Sequence, residues 1–582
     1  MKRILSAQVA EQKTSTVKMA GWVNGRRDHG GLIFIDMRDH TGLTQLVFKP
    51  EDKDLFAAAE SLRDEYVIEV EGVVLERDDS LKNSNIVSGG VEIEVQSMEL
   101  LNAAETPPFQ VSGAQNVNED TRLKHRYIDL RRPKMQHMLA KRAEFYSYMR
   151  RYMEEQDFIE VSTPILANSS PEGARDFIVP SRLHQGSFYA LPQAPQQFKQ
   201  LLMVGGIPRY YQMAACFRDE DPRSDRLYGE FYQLDLEMSF VQDGEEVRST
   251  MDPLITRLVT DFADKSVLGG EIPRITYKEA MDRYGSDKPD LRYGLELVDL
   301  SGIAKTCSFG VFSSAVEKGG VVKALAAPAD FTRKQIDQLT DKAKELGAGG
   351  LPYMSMKDGQ LSSSIAKFFS DDELQGIAEA MSLKEGDTVL FGADKAAVVN
   401  RVLGGLRSHL GDALDLKDSS VVSLLWIVDF PFYEKDDKTG QLDFGHNPFS
   451  MPKGGRAALA AENKEEIIAD QYDMVMNGYE ICSGGVRNHQ PETMYEVFGV
   501  LGYDRDYVES RFGGMLSAFK YGAPPHAGCA YGLDRMFMVL MDEDNIREVV
   551  AFPKNGSGVD LLMQAPSTLE STQLKELGIR KS

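Results

Sequence analysis

The chain lacks most features that would place it outside a reducing, aqueous compartment. Of its 582 residues only four are cysteine: Cys216, Cys307, Cys482 and Cys529. They lie far apart and form neither a CxxC pair nor a metal-ligand spacing. That excludes a disulfide framework, predicts reduced thiols and leads us to expect no structural metal. No stretch approaches the roughly 18 uninterrupted apolar residues of a membrane span. The opening MKRILSAQVAEQ has basic residues but no long apolar run, so it does not read as a signal peptide. A cytoplasmic location without a membrane partner is the expectation. Repeats and low-complexity tracts are missing too. Positive charge is scarce, with 66 Lys+Arg against 89 Asp+Glu and a net charge of −23. Taken whole, that balance argues against a nucleic-acid binder.

The distribution of charge says more than its sum. Residues 1–50 hold eight Lys/Arg against four Asp/Glu, and residues 121–142 hold eight against one. An acidic body with a basic N-terminal quarter fits an enzyme that grips a polyanion on one side. A solvated basic surface is the plainer reading of either cluster alone. The length predicts two to four domains.

Five short segments, VKMAGWV, LIFIDMR, TQLVF, YVIEVEGVV and VEIEV, read as strands over 17–98. They suggest an OB barrel or another small barrel spanning 1–104. A hinge over 105–135 follows, containing Glu105-Thr-Pro-Pro and the basic stretch. Apolar residues at helical spacing predict a helix over 136–155, and FIEVSTPIL reads as a strand stopped at Pro164. We expect a catalytic domain over 136–295 and 416–560, split by an insertion over 296–415. A C-terminal extension covers 561–582.

Three segments carry chemistry. In CFRDEDPRSDRLYGEFYQLDLEMSF (216–240), an apolar strand leads into Arg218 and a charged loop. The returning strand carries Glu230, Gln233, Asp235 and Glu237. Arginine is the planar bidentate cation that phosphate recognition favours. In GCAYGLDR (528–535), glycines precede an arginine and an apolar helix, and a helix start favours anions. The third segment runs from Asp473 through Tyr479 and Glu480 to Gly484, Gly485 and Arg487, where paired glycines usually mean a turn. Each is weak alone. Arg218 could close a surface ion pair, and GLDR recurs by chance.

Together and in this order they resemble a known family. The chain is similar to class II aminoacyl-tRNA synthetases, specifically the bacterial-type aspartyl-tRNA synthetases, over nearly its whole length. FIEVSTPIL resembles motif 1, the family's dimer element, FRDEDPRSDR…EFYQLDLE motif 2, and GLDR motif 3. GWVNGRRDHGGLIFIDMRD, SSPEGARDFIVP, QAPQQFKQLLM, RYGSDKPDLRYGLEL and YGAPPHAG add weight. The resemblance implies an α+β multidomain fold: an anticodon-binding OB barrel, a catalytic domain on an antiparallel sheet and an inserted α/β GAD-type domain. It implies a homodimer that uses ATP, Mg²⁺, L-aspartate and tRNA.

Site residues follow from the same resemblance. Arg218 should clamp the α-phosphate and the substrate carboxylate, and Arg535 the γ-phosphate. Glu220 and Phe231 should meet adenine, and Asp219, Gly532, Leu533 and Asp534 complete the ATP site. Glu480 with Asp473 should bind Mg²⁺, since hard cations prefer oxygen. Lys199 and Arg487 should hold the β-carboxylate, whose burial without cations would be prohibitive. Glu172, Gln196 and Asp235 should orient the ammonium, and His446 should close over the substrate. Three departures stand out. The motif 2 loop is one residue longer, leaving Leu227 where a glutamine is usual. Cys482-Ser-Gly-Gly replaces a GGGS run, and His446-Asn447 replaces paired histidines. Alternatives are an asparaginyl or lysyl relative, a non-catalytic binder that kept the fold, and an amide-forming paralogue.

In the barrel, Arg27, Phe34 and Gln45 match family positions that recognise anticodon bases. His29 stands where members that separate tRNA-Asp from tRNA-Asn tend to carry leucine, and Ser80 lies near a second such position. The resemblance therefore implies a non-discriminating enzyme that charges both tRNAs and depends on a partner amidotransferase. A tRNA-Asp-specific form is the alternative, with His29 then an ordinary loop histidine.

Overall fold

The computed structural model describes residues 2–113, 116–169, 173–436 and 439–580. The chain divides into two compact units, Met1–Ala143 with Arg547–Thr568, and Glu144–Ile546 with Leu569–Ser582. Residues 547–560, assigned from sequence to the catalytic domain, thus group with the N-terminal unit.

In the first unit, β1 (Thr16–His29), β2 (Leu32–Asp39), β3 (Gly42–Phe48), β4 (Val67–Glu76) and β5 (Val91–Asn102) close a barrel in the order β1-β2-β3-β5-β4. Alternation places Val17, Met19, Ile33, Ile35, Val70 and Ile93 inside. A register shift between Val23 and Gly25 in β1 reverses the alternation, so Arg27 stands opposite Phe34 on the outer face. The two-residue turn Gly30-Gly31 has φ of 62° and 81°, which only glycine adopts without cost. Residues 26–29, read as a loop from sequence, belong to β1.

The basic stretch after the barrel is mostly engaged within its own unit. Arg122 pairs with Asp129 at 2.9 Å and Glu548 at 2.7 Å. Arg126 is 2% exposed and donates to the carbonyls of Val550 and Ala551. Arg131 pairs with Glu65 at 2.8 Å. The local positive sum therefore overstates the charge available to a polyanion, and a solvated basic face is equally wrong. Helix α1 (Lys53–Ser61) lies between β3 and β4, and the helix foreseen over 136–155 is α2 (Pro133–Glu155). Proline suits its first turn, where an N–H would lack an intrahelical acceptor.

In the second unit, the strands are β6 (Ile159–Glu160), β7 (Arg209–Arg218), β8 (Gly229–Ser239), β9 (Arg274–Thr276), β15 (Leu424–Pro431), β16 (Ile468–Met476), β17 (Tyr479–Val486) and β18 (His526–Gly532). They form one sheet in the order β9-β15-β16-β17-β18-β8-β7-β6. The inner pairings are antiparallel as expected, but both edge pairings, β9 with β15 and β6 with β7, are parallel. FIEVSTPIL forms only the two-residue β6, because its proline and polar residues leave the remainder irregular. A separate five-stranded sheet falls within the expected insertion. It comprises β10 (Leu297–Asp299), β11 (Val321–Ala327), β12 (Tyr353–Lys357), β13 (Gln360–Ser362) and β14 (Thr388–Asp394), in the order β10-β11-β14-β12-β13. Its pairings are all antiparallel, unlike the alternating parallel layout that α/β implies. Helices α3 (Gln196–Val204), α4 (Tyr277–Tyr284), α5 (Ala396–Ala413) and α6 (Leu533–Leu540) frame the site and the insertion.

Candidate active site

Strands β7, β8, β16, β17 and β18 and helices α3 and α6 converge on a cavity of about 350 Å³. One end is a buried tetrad of two cations and two carboxylates. Lys199 Nζ lies 3.1 Å from Asp235 Oδ1 and 3.2 Å from Glu237 Oε2. Arg487 donates from Nε and Nη2 to the two Glu237 oxygens at 2.8 and 3.2 Å. Its Nη2 also donates to the Gly528 carbonyl at 3.1 Å. All four side chains are buried.

Local sequence explains the arrangement. Asp235 and Glu237 are two apart on β8 and share a face. Glu237 pairs across the sheet with Gly528, where an added Cβ would stand 2.1 Å from Glu237 Oε2. That glycine is therefore required by close approach. Gly484 and Gly485 likewise lie inside β17 and not in a turn. A Cβ on Gly484 would meet the Gly528 carbonyl at 2.4 Å.

The charges stabilise one another. Burial opposes the Glu237 anion, but Arg487 and then Lys199 outweigh it and hold the carboxyl below the usual range. For Asp235 burial wins over Lys199, and its pKa is pushed up to about 6. Burial also opposes the charges of Lys199 and Arg487, yet the facing carboxylates outweigh it and raise both. At neutral pH the tetrad is therefore two cations facing two anions. Arg487 Nη1 donates to no described residue, whereas the Lys199 ammonium has three carboxylate oxygens within 3.3 Å.

Several buried polar atoms of the lining lack any hydrogen-bond partner: Gln196 Nε2, Arg218 Nε and Asp473 Oδ1. Such atoms are costly unless a ligand completes them. Two donors and one acceptor suit a charged, polar ligand better than an apolar guest.

The other end is rich in arginine. Arg218, closing β7, stands 5.1 Å from the centre of the Phe231 ring. Glu220 Oε2 accepts from Arg226 Nη1 at 2.6 Å. Arg535 on α6 donates to the Glu480 carbonyl at 2.6 Å and lies 3.1 Å from Asp225 Oδ2. Asp534 accepts from the Tyr232 N–H at 2.9 Å, tying α6 to β8. Gly532 and Leu227 also line the cavity.

Asp473 and Glu480 face the cavity from the neighbouring strands β16 and β17. Burial and then the Glu480 charge push the Asp473 carboxyl well above its usual range. Burial opposes the Glu480 anion as well, but Lys288 and Arg535 hold its pKa low. Lys288 Nζ is 2.9 Å from Glu480 Oε2. Among the described residues no group of three or more His, Cys, Asp or Glu could hold a metal. A carboxylate pair with an unsatisfied oxygen instead fits Mg²⁺, which keeps waters and takes further ligands from phosphates.

His446 lines the cavity with its ring edge-on to Phe430 at 4.7 Å. Burial lowers its pKa, so the imidazole is neutral near pH 7. Asn447, the departure beside it, has a structural role. Its Oδ1 accepts from the N–H groups of Phe449 and Ser450 at 3.0 and 3.2 Å.

Other foreseen residues fall elsewhere. Glu172 lies outside the described residues. Asp219 does not line the cavity; its Oδ1 accepts from the Tyr228 hydroxyl at 3.3 Å. Leu533 is a fully buried core residue of α6 and is likewise not in the lining. Sequence reasoning gave no role to Glu237, although its two-residue spacing from Asp235 was a usable signal. Lys288 was missed entirely.

On the barrel, Arg27 is 60% exposed and pairs with Asp36 at 2.8 Å. Phe34 is half-buried outside the barrel core. Gln45 is buried and engaged, accepting from Arg27 at 3.3 Å and donating to Glu92 at 3.0 Å. It supports Arg27 and presents no free amide. His29 ends β1 and is exposed. Ser80 is exposed on a short helical turn in the β4–β5 connection. That connection is anchored by Ser88 to the Leu43 carbonyl, at the end of the β2–β3 hairpin remote from His29.

Comparison with known proteins gives the same picture. Residues 118–556 match the family model for class II tRNA synthetases (D, K and N), and residues 17–101 that of the OB-fold nucleic acid binding domain. An aspartate–tRNA(Asp/Asn) ligase of Pelodictyon phaeoclathratiforme is 49% identical over 98% of this chain and 95% of its own. One from Rickettsia bellii is 48% identical over 97% and 95%. Among solved structures, a putative aspartyl-tRNA synthetase of Leishmania major superposes with a TM-score of 0.60 at 19% identity, covering 95% of this chain and 94% of that one. The asparaginyl-tRNA synthetase of Pyrococcus horikoshii, complexed with asparaginyl-adenylate, gives 0.59 at 18% identity, covering 95% and 98%.

Proposed function

The chain belongs to the class II tRNA synthetases of the aspartate, lysine and asparagine group, and we propose that it activates L-aspartate with ATP and transfers it to both tRNA-Asp and tRNA-Asn. The observation that carries the substrate assignment is the buried tetrad with its spare donor, Arg487 Nη1. A β-carboxylate offers that donor an acceptor with either oxygen, whereas an amide has one acceptor oxygen and brings N–H groups that need acceptors of their own. The Asp235 carboxylate, paired with Lys199 at one side and lining the cavity with Gln196, is placed to accept from the substrate ammonium.

Activation joins the α-carboxylate to the α-phosphorus of ATP and releases pyrophosphate. No protein nucleophile is needed; alignment and charge neutralisation carry the step. Arg218 clamps the α-phosphate against the incoming carboxylate, and the Phe231 ring offers adenine a stacking face. Arg535 and the start of α6 hold the far phosphates, and Glu220 positions the base. Asp473 and Glu480 would hold Mg²⁺, which neutralises phosphate charge when bound. Neutral His446 covers the amino acid and limits water.

Arg27 and Phe34, side by side on the barrel's outer face, are the proposed anticodon contacts, with Gln45 fixing Arg27 from beneath. The relatives from Pelodictyon phaeoclathratiforme and Rickettsia bellii carry the dual Asp/Asn specificity in their names, and His29 in place of leucine agrees with it. Charging both tRNAs makes aspartyl-tRNA-Asn, which a tRNA-dependent amidotransferase must convert. The chain should work as a two-fold dimer. Ile159, Ile165 and Leu166 of the motif 1 segment are 48%, 51% and 53% exposed, an apolar surface that a second copy would cover. The experiment is aminoacylation of purified tRNA-Asp and tRNA-Asn. Comparable charging of both supports the proposal. A rate on tRNA-Asn lower by more than about a thousandfold, some 4 kcal/mol, would make the enzyme specific for tRNA-Asp.

A further inference from the structure

Lys288 lies on the segment that follows α4 and leads into the insertion, yet its ammonium reaches the catalytic sheet. It stands 2.9 Å from Glu480 Oε2 and 3.6 Å from Asp287. Lys288 thus offsets the Glu480 and Asp287 carboxylates from outside the sheet, beside the buried Asp473. Its side chain is 41% exposed and borders a second cavity of about 880 Å³, so it has room to swing away from Glu480.

The insertion holds this segment in place. Arg407 of α5 is 3% exposed and donates from Nη2 to the carbonyls of Asp290, Tyr293 and Gly294 at 2.7, 3.1 and 3.0 Å. Its Nε donates to the Leu295 carbonyl at 3.0 Å. The guanidinium also lies against the Tyr284 and Tyr293 rings, 4.9 and 4.5 Å from their centres. Gly285, with φ of 66°, ends α4 so close to α5 that an added Cβ would lie 2.4 Å from the Asn400 carbonyl. A second tie comes from Lys323 of β11, which donates to Asp282 Oδ1 and Asn400 Oδ1, each at 3.0 Å. One arginine that satisfies four carbonyls between Asp290 and Leu295 and stacks on two rings fixes the path of the chain just beyond Lys288.

We propose that Lys288 is the resident counter-cation of the Asp473–Glu480 carboxylates, displaced when a divalent cation enters, and that the insertion holds it there through Arg407. The inference rests on Asp473 and Glu480 being the metal pair. Ammonium and metal compete for Glu480, because both need its oxygens and repel each other. Lys288 is a positioning residue: it keeps Glu480 charged and aimed while no metal is bound. On this account the insertion does more than add mass, since its α5 sets the charge balance of the catalytic cavity.

The test is Mn²⁺ binding to the full-length protein without ATP, followed by the electron paramagnetic resonance signal of free Mn²⁺. Lys288→Met should bind Mn²⁺ about tenfold more tightly than the parent, the effect of removing one competing charge. Lys288→Arg should restore parental affinity. Arg407→Lys, which keeps the charge but loses the fork, should tighten binding by about threefold, and should add nothing to Lys288→Met. Unchanged or weaker binding by Lys288→Met overturns the proposal, and so does an Arg407→Lys effect that persists in the Lys288→Met background. Glu480→Gln separates the two layers of the argument. If it leaves Mn²⁺ affinity unchanged, the metal pair itself is misassigned and the inference falls with it. If it weakens binding while Lys288→Met changes nothing, only the role of Lys288 is wrong.

Discussion

Two arginine–carboxylate pairs of this chain have the same 2.8 Å closest approach and opposite surroundings. Arg487 meets Glu237 inside the catalytic cavity with side-chain exposures of 5% and 0%. Arg27 meets Asp36 on the barrel's outer face with exposures of 60% and 27%. Water screens the second pair, so its charges can be exchanged for those of a nucleic acid at little cost. The first pair is desolvated, and its charges persist only because the tetrad is complete. A cavity built this way recognises an anion by fixed, unscreened donors. An exposed face recognises by stacking and by adaptable ion pairs. Identical contact distances therefore say nothing about strength until burial is known.

Removing one cation from each pair breaks the comparison most visibly. Arg487→Leu leaves Glu237 as an unpaired buried anion and should cost about 3–5 kcal/mol of stability in urea unfolding. Arg27→Leu should cost less than about 1 kcal/mol. Equal losses would mean that the cavity pair is not desolvated in solution. Arg218→Ala should slow ATP–pyrophosphate exchange by about 10²–10³. Its effect on tRNA affinity, read by filter binding, should be slight.

The barrel end of the comparison is sharpened by Phe34→Ala. Losing one stacking face should weaken tRNA binding by about 1–3 kcal/mol with the exchange rate unchanged. The smallest effect is one of pH. With its pKa at about 6, the Asp235 carboxyl is ionised at neutral pH and protonates as pH falls. Its acceptor for the substrate ammonium is then lost. The KM for aspartate should rise by about tenfold for each unit below pH 6, and Asp235→Asn should flatten that rise.

Sequence was most informative where a pattern is local or a motif can be matched residue by residue. The alternation of β1 to β5 exposed the barrel, and Arg218, Asp235, Glu480 and Arg487, singled out by resemblance, line one cavity. It failed where meaning depends on a partner far along the chain. Gly484 and Gly485 look like a turn until Gly528 is set beside them. The arginines of 121–142 look like a grip on a polyanion until Glu548 and the Val550 carbonyl take them up. Lys288 resembles any surface lysine until the sheet brings Glu480 to it. Asp219 and Leu533 show the opposite error, since neighbours of a motif residue on a strand or helix point away from what that residue touches.

Steady-state ATP–pyrophosphate exchange with aspartate and asparagine as rival substrates tests the central claim most directly, because it reads the tetrad without tRNA. Aspartate should drive exchange with a kcat/KM at least about 10³ above that of asparagine, since an amide offers the spare Arg487 donor one acceptor oxygen and sets N–H groups where the carboxylate has a second acceptor. Exchange driven as well by asparagine as by aspartate would contradict the account, whatever the barrel binds.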